Sequence, residues 1–206
     1  MQCMRMSAVP PSAGTASSPV WMRLGVAVAV AAVILPQEYL LPRLNDSKKL
    51  SEKVREELYE RIVSDAVSYH VELIDAETID RMNILEATRK GMYDAVAALL
   101  PTPQEVLIDA VALPHLRMAS QSIVKGDAKS ASIAVASILA KVTRDRLMLT
   151  YDKEYPVYGF AQHKGYGTQE HIDAIRNYGI CPLHRKTFEP IRSMITNRKG
   201  CEYCAD

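Results

Sequence analysis

Asp127 lies near the start of a segment rich in small residues, which runs from Val124 to Lys141. The segment predicts a helix from Ala128 to about Thr150, and its small side chains would let a neighbouring element approach closely. The helix macrodipole favours a negative charge at that end. Asp127 is therefore either the N-cap of this helix or a carboxylate held on a rigid support for a divalent cation.

A second acidic residue, Asp109, follows the short apolar run Val106, Leu107 and Ile108. The run predicts a strand that delivers Asp109 at its C-terminal end, where open α/β sheets tend to place ligand-binding groups. A strand-end aspartate is also commonly structural, so this position alone does not decide between the two roles. Carboxylate oxygens are hard ligands that suit Mg²⁺ or Mn²⁺.

Basic residues form short clusters, although the formal net charge is only +1. Clusters of this kind can line a phosphate-binding surface or can be solvated faces of helices and loops. The clusters are Lys48-Lys49, Lys125 with Lys129, His163-Lys164 and His184-Arg185-Lys186.

The elements that must position these residues belong to one domain. A chain of 206 residues with 48% hydrophobic content and no repeat can build one ordinary globular core. We expect a disordered segment over 1–19, which is rich in Ser, Pro and Ala, a folded domain over 20–195 and a tail over 196–206. The fold class predicted from the alternation of strands and helices is α/β, with layered elements.

The predicted elements follow from apolar periodicity and capping residues. Ala27–Leu35 reads as a buried strand, and Ser51, Asp75 and Thr168 read as helix caps. The predicted strands are 27–35, 69–74, 106–108 and 123–124, and the predicted helices are 52–68, 76–100, 128–150 and 169–178. Gly179 is the expected stop of the last helix.

Five motifs occur in one order along the chain, and together this set resembles bacterial ribonuclease HII over roughly residues 25–195. They are Asn45–Ser51, Val106–Asp109, Val124–Lys141, His163–Thr168 and His184–Phe188. The resemblance implies a ribonuclease H-like mixed sheet flanked by helices, with a helical C-terminal part. It also implies an endonuclease that hydrolyses the RNA strand of RNA/DNA hybrids and cuts at ribonucleotides embedded in duplex DNA, with Mg²⁺ or Mn²⁺.

The resemblance also assigns roles to individual residues. Asp109 and Asp127 look like the third and fourth carboxylates of the family's metal site, which holds two metal ions that assist phosphodiester hydrolysis. Tyr166 looks like the tyrosine that senses a 2′-hydroxyl at an RNA to DNA junction. The phosphate contacts implied by the family motifs are Ser47, Lys48, His184 and Arg185.

The first two carboxylates of the family belong to an Ala-Gly-Val-Asp-Glu-Ala-Gly-Arg-Gly segment, and this chain has no Asp or Glu before Glu38. Trp21 and Met22 have the single codons TGG and ATG, so the frame that straddles them reads GAT, an aspartate codon. Suitable codons for the neighbouring residues extend that reading to the whole family segment. We therefore expect a missing or frame-shifted segment, a damaged first strand, marginal folding and impaired activity.

Two other readings stay open. A catalytically inactive protein of the same fold would bind RNA/DNA hybrids without cutting them. A secreted or membrane-tethered protein would explain the apolar stretch Leu24–Leu35 after Arg5 and Arg23, but this stretch is too short to span a bilayer. Four cysteines without a disulfide framework favour a reducing cytoplasm. We expect a cytoplasmic monomer that has no membrane contact and takes a hybrid duplex, or DNA containing ribonucleotides, as its partner.

Overall fold

The computed structural model describes residues 3–9, 27–42, 44 and 50–198. Its strands are β1 (Cys3–Val9), β2 (Val28–Ile34), β3 (Ser68–Ile74), β4 (Glu105–Asp109) and β5 (Ala119–Ile123). Its helices are α1 (Glu52–Asp65), α2 (Ala76–Met82), α3 (Ile84–Ala97), α4 (Gly126–Lys129), α5 (Ala131–Glu154), α6 (Phe160–His163), α7 (Gln169–Tyr178) and α8 (Ile191–Arg198), with a 3₁₀ turn at Pro156–Tyr158.

The five strands form one mixed sheet in the order β3-β2-β1-β4-β5. The central strand β1 runs antiparallel to β2 and parallel to β4, and β4 runs parallel to β5. The expectation of disorder over 1–19 is therefore wrong for Cys3–Val9. The Ser, Pro and Ala content of the whole segment hid a short run that precedes Pro10 and contains no Pro or Gly.

Strand β2 is buried along its whole length, which confirms the prediction of a strand covered on both faces. Its odd-numbered residues, Ala29, Ala31 and Val33, share a hydrophobic cluster with residues of α1 and α5. On the other face, a Cβ added at Gly91 of α3 would lie 2.5 Å from Cδ1 of Ile74 and 3.3 Å from Cγ2 of Val30. Helices thus cover both faces of β2, and Gly91 permits the close approach of α3.

Four predicted helix boundaries depend on capping residues, and the structure has all four. Asp75 caps α2 and accepts a hydrogen bond from the Thr78 N–H at 2.7 Å. Ser51 caps α1 and accepts a hydrogen bond from the Val54 N–H at 3.4 Å. Thr168 caps α7 by accepting from the His171 N–H at 3.3 Å, and Gly179 ends α7 with a φ of 81°. These signals are local, since one side chain or one positive φ sets each boundary.

Two helices that were predicted as continuous are interrupted. Asn83 has a φ of 70° and separates α2 from α3, so the single helix expected over 76–100 is wrong. Ser130 has extended φ and ψ of −130° and 118° and separates the four-residue α4 from α5. The long helix therefore begins at Ala131 instead of Ala128. Asn83 has a ψ of 162°, outside the left-handed helical region that asparagine favours, so its residue type does not explain the first break.

The described elements fall into two compact units. The first contains β1, β2 from Ala29, the other three strands, α1, α3 from Leu85, α4 and α5 up to Arg144. The second contains α2, α5 from Asp145 and the elements that follow. The second unit has its own apolar cluster, built around Met148, Tyr158, Phe160 and Ile191. None of the helices in the described part of the chain has the length and apolar character that crossing a bilayer requires.

Candidate functional site

Asp109 is the last residue of β4 and is half-buried. It pairs with Ile123 of the parallel strand β5, and the Ala110 N–H continues the ladder by donating to the Ile123 carbonyl at 3.0 Å. The carboxylate therefore lies at the C-terminal edge of two parallel strands. This is the edge at which the sequence predicted a ligand-binding group.

The chain turns sharply directly after Asp109. The Val111 N–H donates to the Asp109 carbonyl at 2.6 Å, and Ala110 between them has a φ of 57°. A bond from residue i+2 to residue i across a central residue with positive φ makes a γ-turn of the rare, strained kind. An alanine there carries a steric cost that a glycine would avoid.

The loop between β5 and α4 meets the same carboxylate. The Gly126 N–H donates to Oδ1 of Asp109 at 2.8 Å, and Lys125 before it adopts a left-handed conformation with φ 56° and ψ 46°. A Cβ on Gly126 would lie 2.6 Å from Cδ1 of Ile133 and 3.2 Å from Oδ1 of Asp109. Only glycine fits between the carboxylate and the start of α5 without displacing a neighbour.

Asp127 is the next residue, half-buried in the first turn of α4. The residue in the N-cap position of α4 is Lys125, and α5 begins four residues after Asp127, so the reading of Asp127 as the N-cap of the long helix is wrong. The bond between Gly126 and Asp109 holds the backbone that carries Asp127 against the Asp109 carboxylate. The hydrogen bond from Gly126 thus links the C-terminal end of β4 to the start of α4.

The two carboxylates of Asp109 and Asp127 are better suited to one hard divalent cation than to two. Mg²⁺ often takes one or two carboxylates and completes its coordination with water. A carboxylate has about four lone-pair positions, so the bond from Gly126 is compatible with coordination by Asp109. Among residues 27–42, 44 and 50–196, no group of three or more His, Cys, Asp or Glu side chains could hold a metal ion. The two aspartates therefore do not complete a two-ion centre by themselves.

Tyr166 belongs to the second unit and lies in the loop between α6 and α7, half-buried. Lys164 and Gly165 before it both have positive φ, at 50° and 74°, and the Tyr166 N–H donates to the His163 carbonyl at 2.8 Å. The loop is thus a tight, hydrogen-bonded turn. Its glycine is needed, because two successive positive φ values are costly for larger residues.

His184 and Arg185 differ from the expected phosphate contacts, because their side chains are only 1% and 0% exposed. The Arg185 guanidinium lies over the Phe188 ring, 4.6 Å from its centroid. In this conformation neither side chain is presented to a duplex, so burial argues against direct phosphate contact by either residue. The other two predicted contacts, Ser47 and Lys48, lie outside the described residues.

Sequence reasoning missed several residues that shape these two regions. Asp80 of α2 accepts hydrogen bonds from the Lys186 N–H at 2.6 Å and the Thr187 N–H at 3.1 Å, more than a hundred residues away in sequence. His171 was read only as part of a helix, although it is fully buried. A polar residue on the apolar side of α7 was the one available signal for His171.

Comparison with known proteins gives the following. The family model described as Ribonuclease HII matches residues 24–191. A ribonuclease HII from Bacillus cytotoxicus is 54% identical over 171 residues, covering 83% of this chain and 66% of that protein. One from Acetivibrio thermocellus is 55% identical over 161 residues, covering 78% and 63%. One from Endomicrobium trichonymphae is 53% identical over 173 residues, covering 84% and 82%. The chain thus spans just under two thirds of the length of the first two relatives.

Solved structures agree at the level of the fold. The ribonuclease H2 of Pyrococcus horikoshii OT3 superposes with a TM-score of 0.77 at 22% identity, covering 97% of this chain and 99% of that one. The ribonuclease HII of Archaeoglobus fulgidus, solved in complex with PCNA, gives a TM-score of 0.71 at 22% identity, covering 91% and 95%. The predicted ribonuclease H-like fold is confirmed. The ordered motifs, the matched family model and the relatives above 50% identity show that this chain belongs to the ribonuclease HII family.

Proposed function

We propose that this chain is an endonuclease that hydrolyses the RNA strand of RNA/DNA hybrids and cuts at ribonucleotides embedded in duplex DNA. The observation that carries the proposal is the bond from the Gly126 N–H to Oδ1 of Asp109, which brings the backbone of Asp127 to the same strand edge. Asp109 and Asp127 are the residues that would hold Mg²⁺ or Mn²⁺. A bound ion of this kind supplies charge neutralisation at the scissile phosphate and lowers the pKa of a coordinated water.

The chain's own contribution is to position the two carboxylates. The γ-turn at Ala110 and the left-handed Lys125 bring both aspartates to one strand edge. In the second unit, the Tyr166 loop offers an aromatic ring that can stack on a sugar or base and sense a 2′-hydroxyl by position. The basic residues near these loops, Lys125 and Lys164, are suited to phosphate contact that positions a duplex without reading its sequence.

A second candidate, a protein that binds hybrids without cutting them, is favoured by one observation. The chain has no Asp or Glu before Glu38, and among the residues that the structure describes no group of three or more His, Cys, Asp or Glu side chains could hold a metal ion. Two carboxylates compensate the charge of two divalent ions poorly. We therefore propose that the protein with the printed sequence has strongly reduced turnover.

The experiment compares the unmodified chain, which is called the literal chain below, with a variant in which residues 18–26 are replaced by Ala-Gly-Val-Asp-Glu-Ala-Gly-Arg-Gly. Cleavage of an end-labelled RNA/DNA hybrid is measured in Mg²⁺ and in Mn²⁺. We expect the replacement to raise the rate at least about 100-fold, since it adds two metal ligands. Asp109→Asn in the replaced chain should abolish the gain.

The outcomes separate the candidates. Ordinary cleavage by the literal chain would overturn the argument from ligand number. Binding of the hybrid without cleavage in either form would favour the binding protein. The absence of both binding and cleavage would reject both candidates.

We further propose that the chain acts as a monomer in the cytoplasm, away from membranes, in keeping with the free, buried thiol of Cys181.

A further inference from the structure

The second unit contains a row of buried imidazoles that the proposed function does not use. His171 is 0% and His184 is 1% exposed, and their Nε2 atoms lie 3.0 Å apart. The His163 ring stacks on the His171 ring, with the centroids 4.3 Å apart and the planes 13° from parallel. Buried polar groups cost free energy unless they are hydrogen-bonded, so the partners of these rings determine what the row can do.

The direction of the hydrogen bonds is fixed at one end by Tyr166. Nδ1 of His171 lies 2.9 Å from the Tyr166 carbonyl, which can only accept, so this nitrogen carries the proton and donates. Burial is the main cause that lowers the pKa of His171, to about 3, so the ring is neutral at pH 7. Its Nε2 is then an acceptor, and Nε2 of His184 must donate to it.

The other end gives the same direction independently. The Cys181 N–H, which can only donate, lies 3.0 Å from Nδ1 of His184, so this nitrogen accepts. Sγ of Cys181 lies 3.1 Å from the same nitrogen, and burial raises the pKa of this thiol, so it stays protonated at pH 7 and can also donate. The Cys181 carbonyl lies farther from Nδ1, at 3.4 Å, and already accepts from the His184 N–H at 3.1 Å. Both ends therefore agree on one polarity, from Cys181 through His184 and His171 to Tyr166.

His163 supports the same loop from the other side of the stack. Its Nδ1 accepts from the Gly165 N–H at 3.2 Å, and its Nε2 donates to the Tyr158 carbonyl at 2.6 Å. The two stacked rings thus hold the Gly165 N–H and the Tyr166 carbonyl. These backbone groups belong to two successive residues of the loop.

We propose that His171 and His184 are positioning residues, which form a relay of fixed tautomers that sets the backbone of Tyr166 and thereby the discrimination of a 2′-hydroxyl. The role in discrimination rests on the proposed function, whereas the relay itself stands on the hydrogen bonds alone. His184 acts on the substrate through His171 and Tyr166, which reconciles its place in a family motif with its burial.

The first test is the tautomeric state, measured by ¹⁵N–¹H correlation of the imidazoles at pH 7. We expect His171 to be protonated at Nδ1, and His163 and His184 at Nε2. The opposite tautomer at His171 or His184, or a rapid average of both tautomers, would overturn the relay. This measurement needs no substrate and does not depend on nuclease activity.

The second test uses a matched pair of variants. His171→Asn keeps an amide N–H near the position of Nδ1, whereas His171→Leu removes the donor. We expect His171→Leu to speed hydrogen exchange of the amides from Gly165 to Thr168 about tenfold, the scale of one lost hydrogen bond, and His171→Asn to leave it nearly unchanged. Equal acceleration in both variants, or equal acceleration at amides throughout the protein, would show a merely structural role and overturn the proposal.

The third readout is binding of a duplex with one ribonucleotide against the same duplex in all-DNA form. We expect His171→Leu to reduce the affinity ratio about five- to tenfold and His171→Asn to retain it. The exposed His115→Leu is the control and should keep the parent ratio. If the parent chain binds both duplexes equally well, the proposed function fails, and the role of the relay in 2′-hydroxyl discrimination is overturned with it. The tautomers and the exchange rates then still decide whether the relay sets the loop. A parent preference that His171→Leu leaves intact would overturn the positioning role alone.

Discussion

The Gly126 N–H donates to Oδ1 of Asp109 at 2.8 Å, and this one bond joins the strand edge to the loop that carries Asp127. Gly126→Ala should disturb it, because the added Cβ would lie 2.6 Å from Cδ1 of Ile133. Ile133 is fully buried and has little room to move. We expect a loss of about 1–3 kcal/mol in the free energy of unfolding, measured by urea denaturation.

The same substitution should weaken metal binding, since the Cβ would also lie 3.2 Å from Oδ1 of Asp109. We expect the Mn²⁺ affinity, followed by the paramagnetic relaxation of water protons, to fall about tenfold or more. Lys129→Ala, an exposed position on the same short helix, is the control and should change neither quantity. Unchanged Mn²⁺ affinity in the Gly126→Ala protein would mean that the bond to Asp109 does not position the site.

Ala110 provides a test of strain next to the candidate site. Its φ of 57° in a γ-turn is unfavourable for alanine and natural for glycine. We expect Ala110→Gly to stabilise the protein by about 0.5–1 kcal/mol. Ala128→Gly, on the exposed side of α4, should destabilise it by a similar amount because the residue is helical. Equal destabilisation by both substitutions would show that the turn stores no strain.

The parts of the fold that sequence could predict are those set by local signals. The caps Ser51 and Thr168 and the apolar run of β2 were sufficient for their elements. Strand β1 was not predictable, because its place depends on pairing with Ile34 and with residues of β4 that are far away in sequence.

The candidate site divides in the same way. The residue types at positions 109 and 127 suggested a cation site, but nothing in the sequence signals a positive φ at Ala110. The pairing of His171 with His184 joins a helix to a separate loop, so only the folded chain reveals it.

The frame-shift hypothesis makes a prediction about the gene. We expect the codons for Ser18 to Val26 to read TCG, CCG, GTG, TGG, ATG, AGG, CTG, GGC and GTG, which place the family segment in the straddling frame. Sequencing of codons 15 to 30 tests this directly. Synonymous codons that break the hidden reading, such as CGC for Arg23, would rule the hypothesis out and leave the family ligands simply missing.

The buried imidazoles predict that stability falls on mild acidification. Burial lowers the pKa of His171 to about 3 and that of His184 to about 4, and it also lowers the pKa of His163. Below pH 6.5 the unfolded chain takes up protons at these histidines and the folded chain does not, so unfolding becomes easier as pH falls toward 4. The loss should be roughly 1.4 kcal/mol per pH unit for each of His171 and His184.

Urea denaturation at pH 7, 6 and 5 measures this slope in a range where most carboxylates stay ionised. The groups around the imidazoles are Tyr158 and Cys181, whose pKa values burial raises, and the carboxylates Asp152 and Glu170 near His163. The double variant His171→Gln and His184→Gln should have a much flatter slope, whereas the exposed His115→Gln should keep the parent slope. A parent protein equally stable at pH 7 and pH 5 would contradict the burial argument.

Asp80 predicts how the segment after Arg185 is held within the second unit. Its carboxylate accepts from the backbone N–H groups of Lys186 and Thr187, and hydrogen bonds to a charged acceptor are stronger than neutral ones. We expect Asp80→Ala to cost about 1–3 kcal/mol in the free energy of unfolding and to speed exchange of those two amides. Asp173→Ala removes a carboxylate of the same unit from an exposed pair with Arg176, 2.9 Å away, and should cost less than about 1 kcal/mol. Equal losses of stability in both variants would mean that the hydrogen bonds of Asp80 to Lys186 and Thr187 contribute no more than an exposed ion pair.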